Sequence, residues 1–332
     1  MSGRRDLVAE FRSGNVRGLA RAITLVEQRD PSVRHLLTTL GGELRRPQVL
    51  GFTGAPGTGK STLVDALVAL LRRRDRTVAV IAVDPNSPYS GGAILGDRIR
   101  MQSHALDPGV YIRSMGARGH LGGLSVASRE AVRLLGAFGF QLVILETVGV
   151  GQSELEVAAI ADSTAVVLTP GLGDDVQMIK AGIMEIADVF VINKADLPGA
   201  ERTVQELRSM LSLGPRSGWR PPIVTTVATT GEGVEKLLEA FEQHREHLER
   251  SGEGHRRAEA RLKDEAADLV AEWARAEARR LLDEDPDLAA RLLRDRVPYA
   301  AADEILTQRL ASGRPAGPSS GRRDEGAHPR PR

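Results

Sequence analysis

The sequence contains no cysteine and few aromatic residues. None of its 332 residues is a cysteine, and Phe, Trp and Tyr together make up only 3% of the chain. Without thiols the chain cannot form a disulfide framework, a thiolate zinc site or a cysteine nucleophile. With so few aromatic rings it also lacks the stacking platform on which many proteins bind single-stranded nucleic acid.

The chain also lacks a charge excess and a long apolar run. Its 45 basic and 44 acidic residues leave a formal net charge of +1, unlike a typical nucleic-acid binder. No apolar run approaches the roughly 18 residues that a membrane helix requires. The amino-terminal residues show no apolar signal segment. We therefore expect a cytoplasmic protein that binds neither nucleic acid nor a membrane.

What is present is an alternation of short apolar runs with amphipathic segments. Apolar residues make up 41% of the chain, enough for a packed core. Such alternation predicts an α/β fold with a mostly parallel central sheet flanked by helices on both sides. The predicted strands are residues 47–52, 77–83, 110–113, 141–145, 163–169, 189–192 and 222–227.

The first motif lies between a predicted strand and a predicted helix. Residues 54–61 read GAPGTGKS and match the phosphate-binding pattern G-x-x-x-x-G-K-[ST] in full. Such a loop points backbone N–H groups at phosphate oxygens, at the positive end of the helix. Lys60 would reach the β- and γ-phosphates, and the Ser61 hydroxyl would bind Mg²⁺. The predicted nucleotide contacts here are Gly54, Ala55, Pro56, Gly57, Thr58, Gly59, Lys60, Ser61 and Thr62.

The second motif indicates which base is bound. Residues 193–196 read NKAD and directly follow a predicted apolar strand. The carboxylate of Asp196 can accept hydrogen bonds from guanine N1–H and the 2-amino group, whereas adenine would leave it unpaired at a cost. A later loop is similar to the last guanine-contacting loop of GTPases. The predicted base contacts are therefore Asn193, Lys194, Asp196, Val227, Ala228 and Thr229.

Acidic residues follow two of the predicted strands. Asp84 and Glu146 each end a strand, so both would lie at the sheet edge beside the phosphate-binding loop. Carboxylate oxygens at that place suit Mg²⁺, and Asp97 is a third acid in a nearby loop. The N–H of Gly149 would bond the γ-phosphate and sense hydrolysis.

The residue that follows Gly149 predicts slow GTP hydrolysis. Ras-type enzymes place a water-orienting Gln directly after the switch glycine, but this chain has Val150 there. Another group or a partner must then assist; Asp97, Gln152 and nearby arginines are candidates that the sequence does not rank. The predicted catalytic set is Lys60, Asp97, Glu146 and Gly149.

Together these motifs resemble one family. The chain is similar to the MeaB/ArgK family, P-loop GTPases of the SIMIBI class that act as chaperones of methylmalonyl-CoA mutase. The resemblance covers about residues 10–310, and its run over 170–196 is long enough to be specific. The matching stretches are residues 21–27, 54–62, 83–88, 96–101, 146–154, 170–188 and 193–196.

The resemblance implies further properties. Ser61, Asp84, Asp97 and Glu146 would share the Mg²⁺ shell. Residues 170–181 would form a third switch that transmits the nucleotide state to the mutase. Family members use GTP hydrolysis to gate the loading of adenosylcobalamin and to remove inactivated cofactor, without binding cobalamin themselves. We therefore expect GTP or GDP and Mg²⁺ as ligands, a cobalamin-dependent acyl-CoA mutase as partner, and no directly bound cobalamin. The predicted switch residues are Asp174, Asp175, Gln177 and Lys180.

Four segments are predicted along the chain. Residues 1–45 form an amino-terminal helical segment, and residues 46–250 form the GTP-binding domain. Residues 251–311 are helical, with one long helix over 256–283, and the family resemblance implies a dimerisation arm and hence a homodimer. Residues 312–332 are rich in Pro, Gly, Ser and Arg, which predicts a disordered tail.

Two other functions remain open. A SIMIBI metallochaperone GTPase would need soft or imidazole ligands, and the chain has no cysteine and no histidine-rich tract. His244 and His247 are three residues apart in a predicted helix, but their charged sequence neighbours favour a solvated helix face. A P-loop kinase acting on a small molecule is the second alternative, which strict GTP selectivity without phosphate transfer beyond water would exclude.

Overall fold

This computed structural model of the chain describes residues 7–84, 102–104, 106–116, 123–147, 153–171, 184–212 and 218–307. Within these residues, seven strands form one sheet in the order β3-β2-β4-β1-β5-β6-β7, and every neighbouring pair is parallel. The predicted α/β class is confirmed. The strands are β1 (Gln48–Thr53), β2 (Val78–Asp84), β3 (Val110–Gly116), β4 (Leu142–Thr147), β5 (Ser163–Leu168), β6 (Val189–Asn193) and β7 (Ile223–Thr226).

Helices lie before, between and after the strands. Among the described helices of six or more residues, three precede the sheet, five lie between or directly after its strands and three follow. They are α1 (Leu7–Arg12), α2 (Val16–Glu27), α3 (Ser32–Thr39), α4 (Lys60–Arg73), α5 (Gly123–Phe138), α6 (Ser153–Ile160), α7 (Ala200–Leu211), α8 (Val234–Ser251), α9 (Glu253–Glu284), α10 (Pro286–Asp295) and α11 (Pro298–Ile305).

The strands bury both of their faces, as the near-continuous apolar runs predict. In β6, Val189 and Val191 pack with α4 and α8, while Phe190 and Ile192 face the opposite side together with Leu207 of α7. Helices α1, α2, α3, α5 and α6 contribute to the core on that opposite side of the sheet. The amino-terminal helical segment therefore shares its apolar core with the sheet.

The chain divides into two compact units after Arg261. The first unit contains the sheet and the helices through the first turns of α9. In the second unit, Leu281, Leu288 and Ile305 form a small apolar cluster of their own. Among the described residues, no helix combines the length and apolar character that crossing a membrane requires.

Candidate nucleotide-binding site

The candidate site lies at the carboxyl edge of the sheet, at its centre. Strand β1 has β4 on one side and β5 on the other, and the phosphate-binding loop joins β1 directly to α4. In parallel α/β sheets, ligands bind where connections from neighbouring strands leave in opposite directions. The motif at 54–61 follows β1, and the motif at 193–196 begins at the last residue of β6; both lie at this edge.

Two glycines of the loop occupy positions that exclude any side chain. Gly54 has φ +143°, and a Cβ there would lie 2.2 Å from the carbonyl oxygen of Val167. Gly59 has φ +86°, and a Cβ there would lie 2.5 Å from Nδ2 of Asn193. The loop therefore passes against β5 and the motif at 193–196 at distances that only glycine allows.

Lys60 is turned onto the loop that it belongs to. Its side chain is buried, and Nζ donates hydrogen bonds to the carbonyl oxygens of Gly54 (2.8 Å) and Ala55 (3.0 Å). These bonds hold a cation over the loop at the start of α4, whose first backbone N–H groups favour an anion. A phosphate group bound here would meet both sources of positive charge.

Ser61 and Glu146 meet beside the loop. The Ser61 hydroxyl donates to Oε1 of Glu146 over 2.5 Å. Strand β4 pairs with β1 in the register that places Glu146 beside Phe52, so the strand pairing brings this carboxylate next to the loop. Glu146 is only 3% exposed. A hydroxyl and a buried carboxylate are the hard oxygen donors that Mg²⁺ prefers, so the pair fits the ion.

Asn193 connects two loops of the site. Its buried amide donates to the Thr58 carbonyl (2.8 Å), and its Oδ1 accepts from the Thr226 hydroxyl (3.1 Å) and from the Ala228 N–H (3.2 Å). The residue predicted as a base contact thus braces the phosphate-binding loop against the loop after β7. Sequence reasoning missed Thr226, which carries no motif signal.

The residues predicted to contact the base line a cavity of about 220 Å³. Lys194 has φ +57°, which is uncommon for a residue with a side chain, and its Nζ donates to the Gly57 carbonyl over 2.8 Å. Sequence reasoning missed Leu197, whose signal was its place directly after the motif. The cavity is lined by Gly59, Thr62, Asn193, Lys194, Asp196, Leu197, Val227, Ala228 and Thr229.

Several predicted residues lie outside the described part of the chain. The backbone of Asp84 ends β2, next to the end of β4, but its side chain is not described. Gly149, Val150 and Gln152 fall in the gap between β4 and α6. The other predicted residues outside the described ranges are Asp97, Asp174, Asp175, Gln177 and Lys180, together with the predicted tail at 312–332.

The prediction of a solvated face at His244 was wrong. Its side chain is fully buried, with Nδ1 2.7 Å from the Ser163 hydroxyl and its ring centroid 4.8 Å from that of Trp219, the two ring planes being tilted by 44°. The charged residues beside His244 in sequence point away from it, because buried residues of α8 recur along one stripe that includes Phe241 and Leu248. His247 remains partly exposed.

Comparison with known proteins decides the family. A family profile described as methylmalonyl Co-A mutase-associated GTPase MeaB matches residues 19–280. The chain belongs to the MeaB family. It is also similar to the GTPase ArgK of Escherichia coli, at 41% identity over 74% of this chain and 77% of that protein. A protein of Pyrococcus horikoshii that is named as a GTPase is 45% identical over 91% of this chain and 96% of its own length.

Two further comparisons agree with this family. The methylmalonic aciduria type A homolog of mouse mitochondria is 37% identical over 71% of this chain and 61% of that protein. The crystal structure of a LAO/AO transport system kinase superimposes with a TM-score of 0.67 at 27% identity, covering 94% of this chain and all of that one. This MeaB-family chain is a P-loop GTPase, and its ligand is a guanine nucleotide.

Proposed function

We propose that this GTPase is a chaperone of a cobalamin-dependent acyl-CoA mutase, with methylmalonyl-CoA mutase as the first candidate. GTP binding and hydrolysis would control the loading of adenosylcobalamin and protect the mutase, while cobalamin itself would not bind this chain. The match to the MeaB profile over residues 19–280 carries the proposal, because the family is named for its association with that mutase. The similarity to the methylmalonic aciduria type A homolog supports it.

The described residues suit recognition of GTP. The carboxylate of Asp196 would accept from guanine N1–H and the 2-amino group inside the cavity, with Lys194 along the base. The loop at 54–59 and the ammonium of Lys60 would hold the phosphates. Adenine would leave Asp196 unpaired, and this difference gives the site its base selectivity.

A magnesium ion would be held by oxygen ligands beside Ser61. The Ser61–Glu146 pair supplies two donors, and we propose that Asp84 and Asp97 complete the set. When bound, Mg²⁺ neutralises phosphate charge and stabilises the charge that develops during phosphoryl transfer. Glu146 would orient Ser61, and Gly149 would bond the γ-phosphate.

The nucleotide state would reach the mutase through residues 170–181. This segment follows β5 in sequence and precedes the helical turn that begins at Met184, before β6. We propose that Asp174, Asp175, Gln177 and Lys180 couple the nucleotide to the partner. Because Val150 cannot orient water, hydrolysis by the free protein would be slow, and the mutase would accelerate it.

An apolar stripe on α9 supports a homodimer. Leu262, Leu269 and Trp273 recur at helical spacing, and all three are exposed, Leu262 by 60%. A second copy of the chain would cover this stripe. Sedimentation of Leu269→Glu tests the proposal: a shift from dimer to monomer is expected, whereas an unchanged dimer would contradict the α9 interface.

The experiment for the proposed function is GTP hydrolysis by the purified chain, alone and with the methylmalonyl-CoA mutase of the same organism. Stimulation of tenfold or more is expected, with no transfer of phosphate to anything but water. Asp196→Asn is the matched control. The mutase should stimulate its hydrolysis of xanthosine triphosphate but not of GTP. Selective GTP binding without stimulation would overturn the mutase proposal and direct attention to metal delivery; phosphate transfer to a small molecule would indicate a kinase.

A further inference from the structure

Two aspartates at the amino edge of the sheet, opposite to the nucleotide site, are used in the same way. Asp162 directly precedes β5, and its Oδ2 accepts from the N–H of Val49 in neighbouring β1 (3.0 Å). Asp188 directly precedes β6, and its Oδ2 accepts from the N–H of Thr164 in neighbouring β5 (2.9 Å). Each carboxylate thereby links the start of its own strand to the neighbouring strand of the sheet. Its Oδ1 is then available to other partners.

Both remaining oxygens are bound by arginines of α9, and Oδ1 of Asp162 is also bound by Arg46. Nη1 of Arg257 lies 3.2 Å from Oδ1 of Asp188, and Nη2 of Arg261 lies 3.0 Å from Oδ1 of Asp162. Residues four apart rise about 6 Å along a helix, close to the roughly 4.8 Å between strands, so one helix face reaches both carboxylates. These four residues, Asp162, Asp188, Arg257 and Arg261, are named the α9 clamp.

His244 of α8 lies against only one half of the α9 clamp. Its Nε2 is 3.2 Å from Oδ1 of Asp188, the same oxygen that Arg257 binds. Within the described residues this buried nitrogen has no aligned hydrogen bond, whereas Arg257 donates one to that oxygen. The two side chains therefore share one acceptor, and Arg257 holds it in this structure.

The charges around His244 come from three elements. Asp188 faces it from the start of β6, His247 from α8, and Glu253 and Arg257 from α9. Burial lowers the pKa of His244 below the ordinary 6.5; Asp188 and Glu253 oppose this shift, and Arg257 and His247 add to it. The ring is neutral at pH 7 and becomes a cation only on acidification.

We propose that His244 makes the attachment of α9 to the sheet sensitive to pH. When His244 is neutral, Arg257 binds Oδ1 of Asp188, and the α9 clamp is closed. A protonated His244 is a second cation at the shared oxygen; it repels Arg257, takes Asp188 as its own partner and releases the first turns of α9 from β6. The pair between Arg261 and Asp162 does not contact His244 and stays closed. The released segment belongs to α9, the helix in which the first unit ends.

Tryptophan fluorescence reads the protonation directly. The chain has two tryptophans, and the ring of Trp219 lies 4.8 Å from that of His244 and 5.3 Å from that of His247. In the full-length Trp273→Phe protein, a protonated imidazole of His244 packed against Trp219 quenches its emission. A transition with a midpoint below pH 6.5 is expected; it should vanish with His244→Gln and persist with His247→Gln. A transition that survives His244→Gln would overturn the proposal.

Arg257→Gln tests the shared oxygen without changing the buried histidine. Removal of the competing cation should raise the midpoint of the Trp219 transition by about half a pH unit or more. Arg261→Gln is the matched control, since it removes the same charge from the other half of the α9 clamp and should leave the midpoint unchanged. Equal midpoints for the two variants would contradict competition at Asp188.

Hydrogen exchange of residues 253–261 tests the release itself. Protection, corrected for the intrinsic effect of pH on exchange, should fall about tenfold below the midpoint in the unmodified chain. It should stay constant in His244→Gln. Arg261→Gln should lower protection at both pH values and keep the ratio between them. Equal protection on both sides of the midpoint in the unmodified chain would overturn the proposed release of α9.

Discussion

At the residue scale, the candidate nucleotide site consists of side chains that hold one another in place. Asn193 shows this most clearly, because its amide joins Thr58 to Ala228 across a sequence separation of 135 residues on one side and 35 on the other. The motif at 193–196 predicted a role at the base. It could not predict this brace, because the partners of an amide depend on which loops the fold brings together.

Asp196 is the residue that we propose sets the base selectivity. Asp196→Asn replaces an acceptor by a group that can donate, so the variant should bind xanthosine triphosphate in preference to GTP. Each lost hydrogen bond to the carboxylate costs about 1.5–3 kcal/mol, so GTP affinity should fall at least tenfold. Competitive nucleotide binding measures this. The exposed Asp264→Asn variant serves as control, and unchanged GTP preference in Asp196→Asn would remove Asp196 from its role.

Glu146 is the residue that we propose sets the metal requirement. Glu146→Gln keeps a partner for the Ser61 hydroxyl but removes the buried negative charge that suits a divalent cation. The Mg²⁺ concentration for half-maximal GTP hydrolysis should rise about tenfold or more, as at other disturbed metal sites. Glu232→Gln, which changes an exposed carboxylate near the base loop, should leave it unchanged. If both variants need the same Mg²⁺ as the unmodified chain, Glu146 does not support the metal.

At the element scale, periodicity predicted the strands and helices well, since continuous apolar runs are typical of strands covered on both faces. It predicted the end of β3 too early, because Ser114 and Gly116 carry no strand preference and are held only by pairing with β2. It also missed the burial of His244. Read at helical spacing from Val234 and Leu237, that position lies on the apolar stripe of α8, and this was the available signal.

The phosphate-binding loop allows a prediction at the same scale. Gly54→Ala should destabilise the fold by more than about 2 kcal/mol and abolish nucleotide binding, because a Cβ there would lie 2.2 Å from a backbone oxygen of β5. Gly57→Ala is the matched variant. Gly57 has φ +83°, but a Cβ there would meet no atom of the described residues within 4 Å, so only backbone strain of about 1–2 kcal/mol is expected. Denaturant unfolding of both variants checks this, and equal losses would contradict the close approach to Val167.

At the scale of the whole molecule, we propose different functions for the two edges of one sheet. The carboxyl edge brings together the predicted nucleotide residues, and the amino edge carries the α9 clamp on the strands that begin there. Motif spacing predicted the candidate nucleotide site at the carboxyl edge, because the residues of each motif are contiguous in sequence and lie at a strand end. It did not predict the α9 clamp at the amino edge, because Asp162 and Arg261 are 99 residues apart in sequence and form no recognisable pattern.

The buried histidine also affects the stability of the whole chain. Because the folded-state pKa of His244 is lowered, its contribution to stability is fully present above the unfolded-state value of about 6.5 and is lost as the pH falls below it. The free energy of unfolding of the unmodified chain should therefore decrease as the pH falls below about 6.5. Denaturant melts at several pH values measure this, and His244→Gln should show a smaller decrease. An equal decrease in both proteins would show that other groups cause it.

The most direct test of the central claim is the affinity of this chain for methylmalonyl-CoA mutase in two nucleotide states. The dissociation constant should be measured with a non-hydrolysable GTP analogue and with GDP, at one protein concentration and with Mg²⁺ present. A GTPase that controls a partner must bind it differently in the two states, because a ligand shifts an equilibrium only by its differential affinity. We expect the two constants to differ at least fivefold, which corresponds to a coupling of about 1 kcal/mol. Equal constants, or no binding in either state, would contradict the account.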